Sequence, residues 1–425
     1  MRTPVLSLRF YATAAMTMVG LLFFTNWPTY QYNVLQGVAP LVYYLGSVAL
    51  AGVLVLFRPK LLAVLLREPL SYWFVIYALT GLVWVVLGGD WAPDNREWRL
   101  RFLLMMLFSA GVVLSTLVDA RRFANVLMIA AVIAAISFWH DFLNPFFYVP
   151  RGFPGSNPGR GAGLFINANQ AGGALVIMAI AAMPFFGKYW RFLLLLVVLL
   201  GVVPTFSRAS ILLAIIVIGV WIWYGQFRRW GILFLLIAVP LAMKIGYELF
   251  SVGIASSEIN VENIMERVAF FIEGDASDFS ANERKYVVAL AWDKFAAHPL
   301  TGIGVGATDF ASSAWGYPQS THNMYLRLLA EQGLLGGVMY LSLLGLILVR
   351  GWRLVRYSAD PLAKDIGVAL LLVVLYFAFL GFFSHTLLQE PVSVLAMAFL
   401  LTAARRVEVG SIQNKWISFG SIKRA

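Results

Sequence analysis

His322 stands in the run Ser320-Thr321-His322-Asn323, immediately ahead of a long apolar stretch. A free imidazole has a pKa of about 6.5, so at a water boundary near pH 7 it is mostly neutral and can take a proton from a neighbouring hydroxyl. The same residues also read as a helix entry, with Thr321 as N-cap and His322 as the first helical residue.

Arg208 follows Pro204-Thr205-Phe206-Ser207 and joins two short apolar runs, 192–205 and 209–225. Fourteen or so residues rising 1.5 Å each reach roughly 21 Å, which leaves this turn below the surface of a hydrocarbon core about 30 Å thick. A charged guanidinium at that depth costs a few kcal/mol unless it is paired, and no acid lies nearby in sequence. With Ser207 as N-cap, the first amides of the following helix aim into the same space, which favours a phosphate site over a structural arginine.

Arg284 opens a predicted amphipathic helix from Asn282 to Ala297, capped by Asn282 and stopped by Pro299. A cation in the first turn opposes the helix dipole, so Arg284 is either a solvated neighbour of Glu283 or faces an anionic ligand. The glycine-rich run His298–Gly306 follows. It lacks a preceding strand and so is no dinucleotide fingerprint; it reads as a tight turn, or as a nest of amides able to hold an anion. A Gly/Pro-rich loop carrying Arg151 and Arg160 leads into Asn167-Ala168-Asn169-Gln170. Arg327 and Glu331 are four apart on one helix face and can pair, and Gly333, Gly336 and Gly337 permit close approach of another helix. Lys244 and Glu248 have the same spacing and read as a structural pair; His140, His298 and His385 read as structural residues. Asp275 and Asp278 lack a third ligand, so no metal is expected. The chain has no Cys, which excludes disulfides and thiolate chemistry.

The elements that position these residues are membrane helices. Of 425 residues, 60% are hydrophobic and 12% charged, with a mean hydropathy of +0.79. Twelve continuously apolar runs centre on 11–25, 34–57, 70–88, 102–118, 123–143, 164–186, 192–205, 209–225, 231–249, 323–349, 365–384 and 386–404. Barrel strands would alternate instead, so the expected fold is an all-α integral membrane bundle. The first run lacks a cleavage signature and reads as a retained helix. With both termini inside, 20 of the 32 Lys and Arg fall on the cytoplasmic side. The net charge of +11 is thereby explained by topology, and no nucleic-acid partner is expected. Three segments follow: helices 1–9 over 1–249, an outer loop over 250–321, and helices 10–12 with a cytoplasmic tail over 322–425.

The pattern resembles the O-antigen ligase and polymerase superfamily. The resemblance covers roughly residues 150–340, and its landmarks come in order: Arg160 followed by Gly163-Leu164-Phe165 and Asn167-x-Asn169, Ser207-Arg208, Arg284 before a Trp-containing helix, His298-Pro299-Leu300-x-Gly302-Ile303-Gly304, His322-Asn323, and Glu331-x-Gly333. The spacings Arg208-x3-Leu212 and His322-Asn323-x9-Gly333-x2-Gly336 match the ligase branch. One departure is Ala168, where the family commonly has Pro between two Asn, so a weaker kink is expected there.

The resemblance implies a bacterial inner-membrane glycosyltransferase of GT-C-like fold with its active site facing the periplasm. Its donor would be a glycan on undecaprenyl pyrophosphate and its acceptor a sugar hydroxyl of the lipid A core, with transfer inverting, independent of metal and needing no cofactor. His322 would be the general base, Arg208 and Arg284 would stabilise the departing pyrophosphate, and Arg151, Arg160, Asn169 and Asn323 would bind pyrophosphate or glycan. A repeat-unit polymerase and a protein O-oligosaccharyltransferase share this carrier. A multi-helix transporter is the alternative of another class; it would show midplane binding residues and inverted repeats, and no repeat is evident.

Overall fold

The computed structural model describes residues 3–87, 95–150, 152–153, 159–224, 237, 244, 279–308, 310–311, 318–319 and 321–422, without the side chains of 3–7, 85, 87, 95–96, 279–284, 310–311, 318–319 and 411–422. The described chain is helical apart from short 3-10 turns and a two-residue antiparallel ladder, Phe310–Ala311 against Pro318–Gln319. The helices are α1 (Thr3–Phe24), α2 (Trp27–Asn33), α3 (Pro40–Phe57), α4 (Lys60–Leu66), α5 (Pro69–Leu87), α6 (Asn95–Leu117), α7 (Ala120–Leu143), α8 (Ala168–Ala182), α9 (Lys188–Val202), α10 (Arg208–Trp223), α11 (Phe279–Ala297), α12 (Met324–Tyr357), α13 (Pro361–Leu380) and α14 (Pro391–Ile422).

Among the described residues, 7 helices can cross a membrane by length and composition, or up to 9 when α1 with α2 and α4 with α5 are each taken as one bent span. The expected count of twelve is therefore met only in part. The run at 231–249 lies outside the described residues except for 237 and 244. α10 has 16 residues and is apolar but short, as its sequence implied. α14 begins at Pro391 rather than at 386: Gly381 closes α13, and Gly381–Glu390 form a loop with a 3-10 turn at Leu387–Gln389.

Helix starts follow the local chemistry. Asp119 caps α7 by accepting from the Arg122 amide at 2.9 Å, and Asn167 caps α8 through the Asn169 amide at 2.9 Å. Asp360 caps α13, with Pro361 fixing φ at its first position.

α8 is the central helix. Of its span, 83% is buried in protein, against 22% for α3, whose apolar side chains remain for lipid. Its Ala- and Gly-rich sequence lets α7, α9, α10, α13 and α14 close around it. α12 and α13 pack closely where Gly351 faces Gly367; a Cβ on either would stand about 3 Å from the other's carbonyl oxygen.

α12 is not one regular helix. Gly333 has φ +63 and ψ −154, and its backbone meets the Pro299–Leu300 carbonyls so closely that a Cβ would lie 2.4 Å from the Leu300 oxygen. Gly302, with φ +67, packs reciprocally against Glu331 and Gln332. Gly333 thus admits a loop, where the sequence suggested a helix. The glycine-rich run His298–Gly306 is a docked turn whose amides are used internally: Ile303 donates to the Ala330 carbonyl at 2.8 Å, Gly304 to Glu331 at 3.0 Å, and Leu334 donates back to Pro299 at 2.8 Å.

Candidate functional site

Four charges, three of them buried and Glu97 half-buried, brace the turn. Glu331 accepts from Arg327 at 2.9 Å, from the Thr308 hydroxyl at 2.8 Å, and pairs with Arg101 at 3.4 Å. Arg327 also pairs with Glu97 at 2.9 Å, and Arg101 lies over the Tyr77 ring at 4.4 Å. The two cations balance the two anions, which is what makes burial of Arg101, Arg327 and Glu331 tolerable. The pairing of Arg327 with Glu331 was legible in the sequence; the partners on α6 were not.

From this brace the chain turns back to Thr321-His322-Asn323. His322 has φ +49, a left-handed conformation uncommon for a residue with a side chain, and is half-buried. It is not the first residue of α12, and Thr321 is not the cap. Asn323 is: its side chain accepts from the Leu326 amide at 3.1 Å, so its carbonyl oxygen serves the helix. The helix start is tied to the next loop by the Met324 amide, which donates to the Gly381 carbonyl at 2.7 Å. In that loop the His385 ring meets His322 edge-on, with centroids 5.2 Å apart and planes at 76°. Burial, together with Arg327 and His322, holds the His385 imidazole well below its ordinary range, so His385 is neutral.

A second arrangement forms around Arg160. Its Nε donates to the Thr205 carbonyl and its Nη2 to Asn169 Oδ1, both at 2.8 Å, while the Gly161 amide donates to the Pro204 carbonyl at 2.7 Å. Asp141 anchors the same loop by accepting from the Ala162 and Gly163 amides at 2.8 and 2.9 Å. These bonds fix the turn before α10. Ser207 occupies the N-cap position, but its hydroxyl bonds to Ser210 at 2.9 Å and makes no capping bond. Arg208 is the first residue of α10 and is half-buried.

Arg208 faces a cavity of about 350 Å³ lined also by Asn169, Gln170, Lys285, Tyr376, Ser384 and Glu390. Leu380, Phe382, Phe383 and Leu387 supply an apolar wall. The cavity therefore joins a guanidinium and a helix N-terminus to an apolar face, a combination suited to a phosphate attached to a hydrocarbon. His322 is not in its wall. It stands beside it through His385, whose neighbour Ser384 lines the cavity and whose neighbour Thr386 accepts from Gln170 at 3.3 Å.

Of the residues expected from sequence, Asn169 and Arg208 thus share one cavity, and Arg160 holds Asn169. Arg284 lies on α11, one residue before the cavity-lining Lys285. α11 begins at Phe279 rather than Asn282, so Arg284 occupies the second turn, and the dipole argument from the first turn falls away. The side chain of Arg284 lies outside the described residues, as do Arg151, Glu248, Asp275 and Asp278. Among the described residues no three His, Asp or Glu side chains converge as a metal site.

Residues 192–341 match the family described as O-antigen ligase. The match covers 150 of the chain's 425 residues and supports an O-antigen ligase-family protein. No curated protein matches it. The matched region runs from α9 into α12 and contains Arg208, Arg284, His298, His322, Arg327 and Glu331. It places the protein with membrane glycosyltransferases of the ligase and polymerase type. Asn169 of α8 and Glu390 of the α13–α14 loop lie outside the match and line the same cavity, and Arg160, also outside it, holds Asn169.

Glu390, Gln170, Lys285 and His385 were missed from sequence. For Glu390 a signal existed, since an acid within the apolar run 386–404 is a functional candidate by default. Burial pushes its carboxyl up to about 7, opposed by hydrogen bonds from Thr386, at 3.1 Å, and Tyr376. A carboxyl whose folded pKa lies above its unfolded value loses stability as pH rises from the unfolded to the folded pKa. Glu390→Gln should therefore melt above the parent protein at pH 8 and close to it at pH 4.5, read by thermal size-exclusion in detergent. An equal offset at both values would show that the Glu390 carboxyl does not titrate in this window.

Proposed function

We propose that this protein is an O-antigen ligase, which transfers a glycan from undecaprenyl pyrophosphate to a sugar hydroxyl of the lipid A core at the periplasmic face of the inner membrane. The observation that supports the reading most is the cavity that presents Arg208 and the start of α10 beside an apolar wall. In this reading the chain crosses the membrane twelve times with both termini cytoplasmic, and residues 250–321 form the periplasmic loop. Helices 1–9 precede that loop and helices 10–12 follow it.

A sugar hydroxyl is too weak an acid to ionise near pH 7, so His322 removes its proton as the oxygen attacks the anomeric carbon. The bond between that carbon and the phosphate oxygen breaks as the new glycosidic bond forms, which inverts the configuration. The proton ends on His322 and the electron pair on the carrier pyrophosphate. Arg208 and Arg284 meet the charge that grows on the leaving group, and preorganised guanidinium groups do so without rearranging. Arg160 acts through Asn169 and the 204–205 turn, so its role is positioning. Arg151 and Asn323 complete the proposed contacts to pyrophosphate or glycan, Asn323 with the amide nitrogen that capping leaves to it. No step requires a metal or cofactor.

The reading is tested with purified protein in EDTA, a glycan on polyprenyl pyrophosphate, and two acceptors offered separately. Product on lipid A core supports the ligase. Product only on a second carrier-linked glycan replaces it with the polymerase, and no product until Mg²⁺ is restored removes metal independence.

A further inference from the structure

A larger cavity, about 790 Å³, lies far from the site described above. It is lined by Thr116, Leu117 and Val118 at the end of α6, whereas Glu97 of the buried charge cluster is at the start of that helix. Nineteen residues of helix separate the two, roughly 28 Å, or one hydrocarbon thickness.

Cations from four parts of the chain meet there: Arg9 of α1, Arg58 and Lys60 at the α3–α4 turn, Arg122 of α7 and Arg406 of α14. The cavity holds one acid, Asp119, whose carboxylate is engaged in capping α7 through the Arg122 amide. Arg406 donates to the backbone carbonyls of Val118 and Ser115, which fixes its guanidinium without neutralising it. Among the described residues Arg9, Arg58, Lys60 and Arg122 form no ion pair, in contrast to Arg101, Arg191, Arg327 and Arg350, each set against a carboxylate. Sidedness alone asks only for basic loops, a demand that Arg67 and Arg121 meet outside the cavity. It does not ask that five cations from distant segments converge on one concavity, where like charges repel unless an anion joins them.

Phe10, Leu61, Val64 and Leu117 share the wall with these cations. A free phosphate has no use for such a wall; a phosphate that carries acyl chains does. We propose that this cavity is a binding site for the headgroup of an anionic phospholipid, on the membrane face opposite the candidate active site. The guanidinium groups of Arg9, Arg122 and Arg406 hold the phosphate, and the apolar wall receives the start of the acyl chains.

The test uses the full chain, purified in a non-ionic detergent and titrated with phosphatidylglycerol, with bound lipid counted by native mass spectrometry. One phosphatidylglycerol should bind at least tenfold more tightly than phosphatidylcholine. Arg9→Gln with Arg122→Gln should remove most of that preference, and Arg67→Gln with Arg121→Gln, equal in charge but outside the cavity, should keep it. An undiminished preference in the first variant, an equal loss in both, or no preference in the parent protein would overturn the proposal. Inorganic phosphate that competes with phosphatidylglycerol at equal concentration would overturn the lipid assignment. All variants are compared at matched elution profile and melting temperature, and Arg9→Lys with Arg122→Lys, which keeps the charge, should retain at least part of the preference if the doubly neutral variant does not fold.

Discussion

Glu331→Ala should leave little folded protein. Glu331 is fully buried and, among the described residues, is the one carboxylate that both Arg101 and Arg327 reach, so its removal leaves a net positive charge inside the bundle and strands the Thr308 hydroxyl. Breaking a buried pair in this way costs about 3–5 kcal/mol, a large part of the roughly 5–15 kcal/mol that holds a typical domain together. The same carboxylate lies where the 298–308 turn docks on α12, so the loss should also loosen the approach to His322. Detergent-solubilised yield and melting temperature measure the effect. Arg101→Met combined with Glu331→Gln restores neutrality, with Arg327 still paired to Glu97, and should recover part of the loss. A Glu331→Ala protein as stable as its parent would mean that the four charges do not act as one cluster.

His322→Ala should be well folded and nearly inactive. The residue is half-buried and does not cap α12, and its ring meets His385 edge-on, a contact that a fold can do without. As general base it should contribute about 10²–10⁴ in rate, and transfer by the parent protein should rise with pH as a basic group loses its proton. In His322→Ala the residual rate should be lower by that factor and lack that rise. A variant with parental rates would remove the base role and leave His322 as a turn residue, the other reading its sequence allowed.

The two loops that carry the proposed chemistry were more legible than the contacts that hold them. Apolar runs gave the helices because burial in lipid needs uninterrupted stretches, but the run before Arg208, expected to be short at 192–205, extends over Lys188–Thr205 and is long enough to cross a membrane, so only α10 is short. Boundaries shifted where a local residue overrode composition: Pro391 moved the start of α14, and Asn323 rather than Thr321 took the cap, since only its side chain reaches the Leu326 amide. The pairing of Arg327 with Glu331 follows from helical spacing, whereas Glu97 and Arg101 join them across more than 200 residues of chain. Their own four-residue spacing at the head of an apolar run was the available sign. Glu390 and Gln170 could not be joined to Arg208 from sequence, because the cavity is made by folding α8, α10 and the α13–α14 loop together.

The account turns on Arg208 facing the pyrophosphate of a lipid-linked donor. The direct measurement is single-turnover transfer from polyprenyl-pyrophosphate glycan to lipid A core by purified parent protein, Arg208→Ala and Arg208→Lys. Loss of one preorganised charge contact should slow Arg208→Ala by about a hundredfold, near 3 kcal/mol, with Arg208→Lys between the two because it keeps the charge and loses the fork. Transfer by Arg208→Ala at the parental rate would contradict the assignment of this cavity to the leaving group.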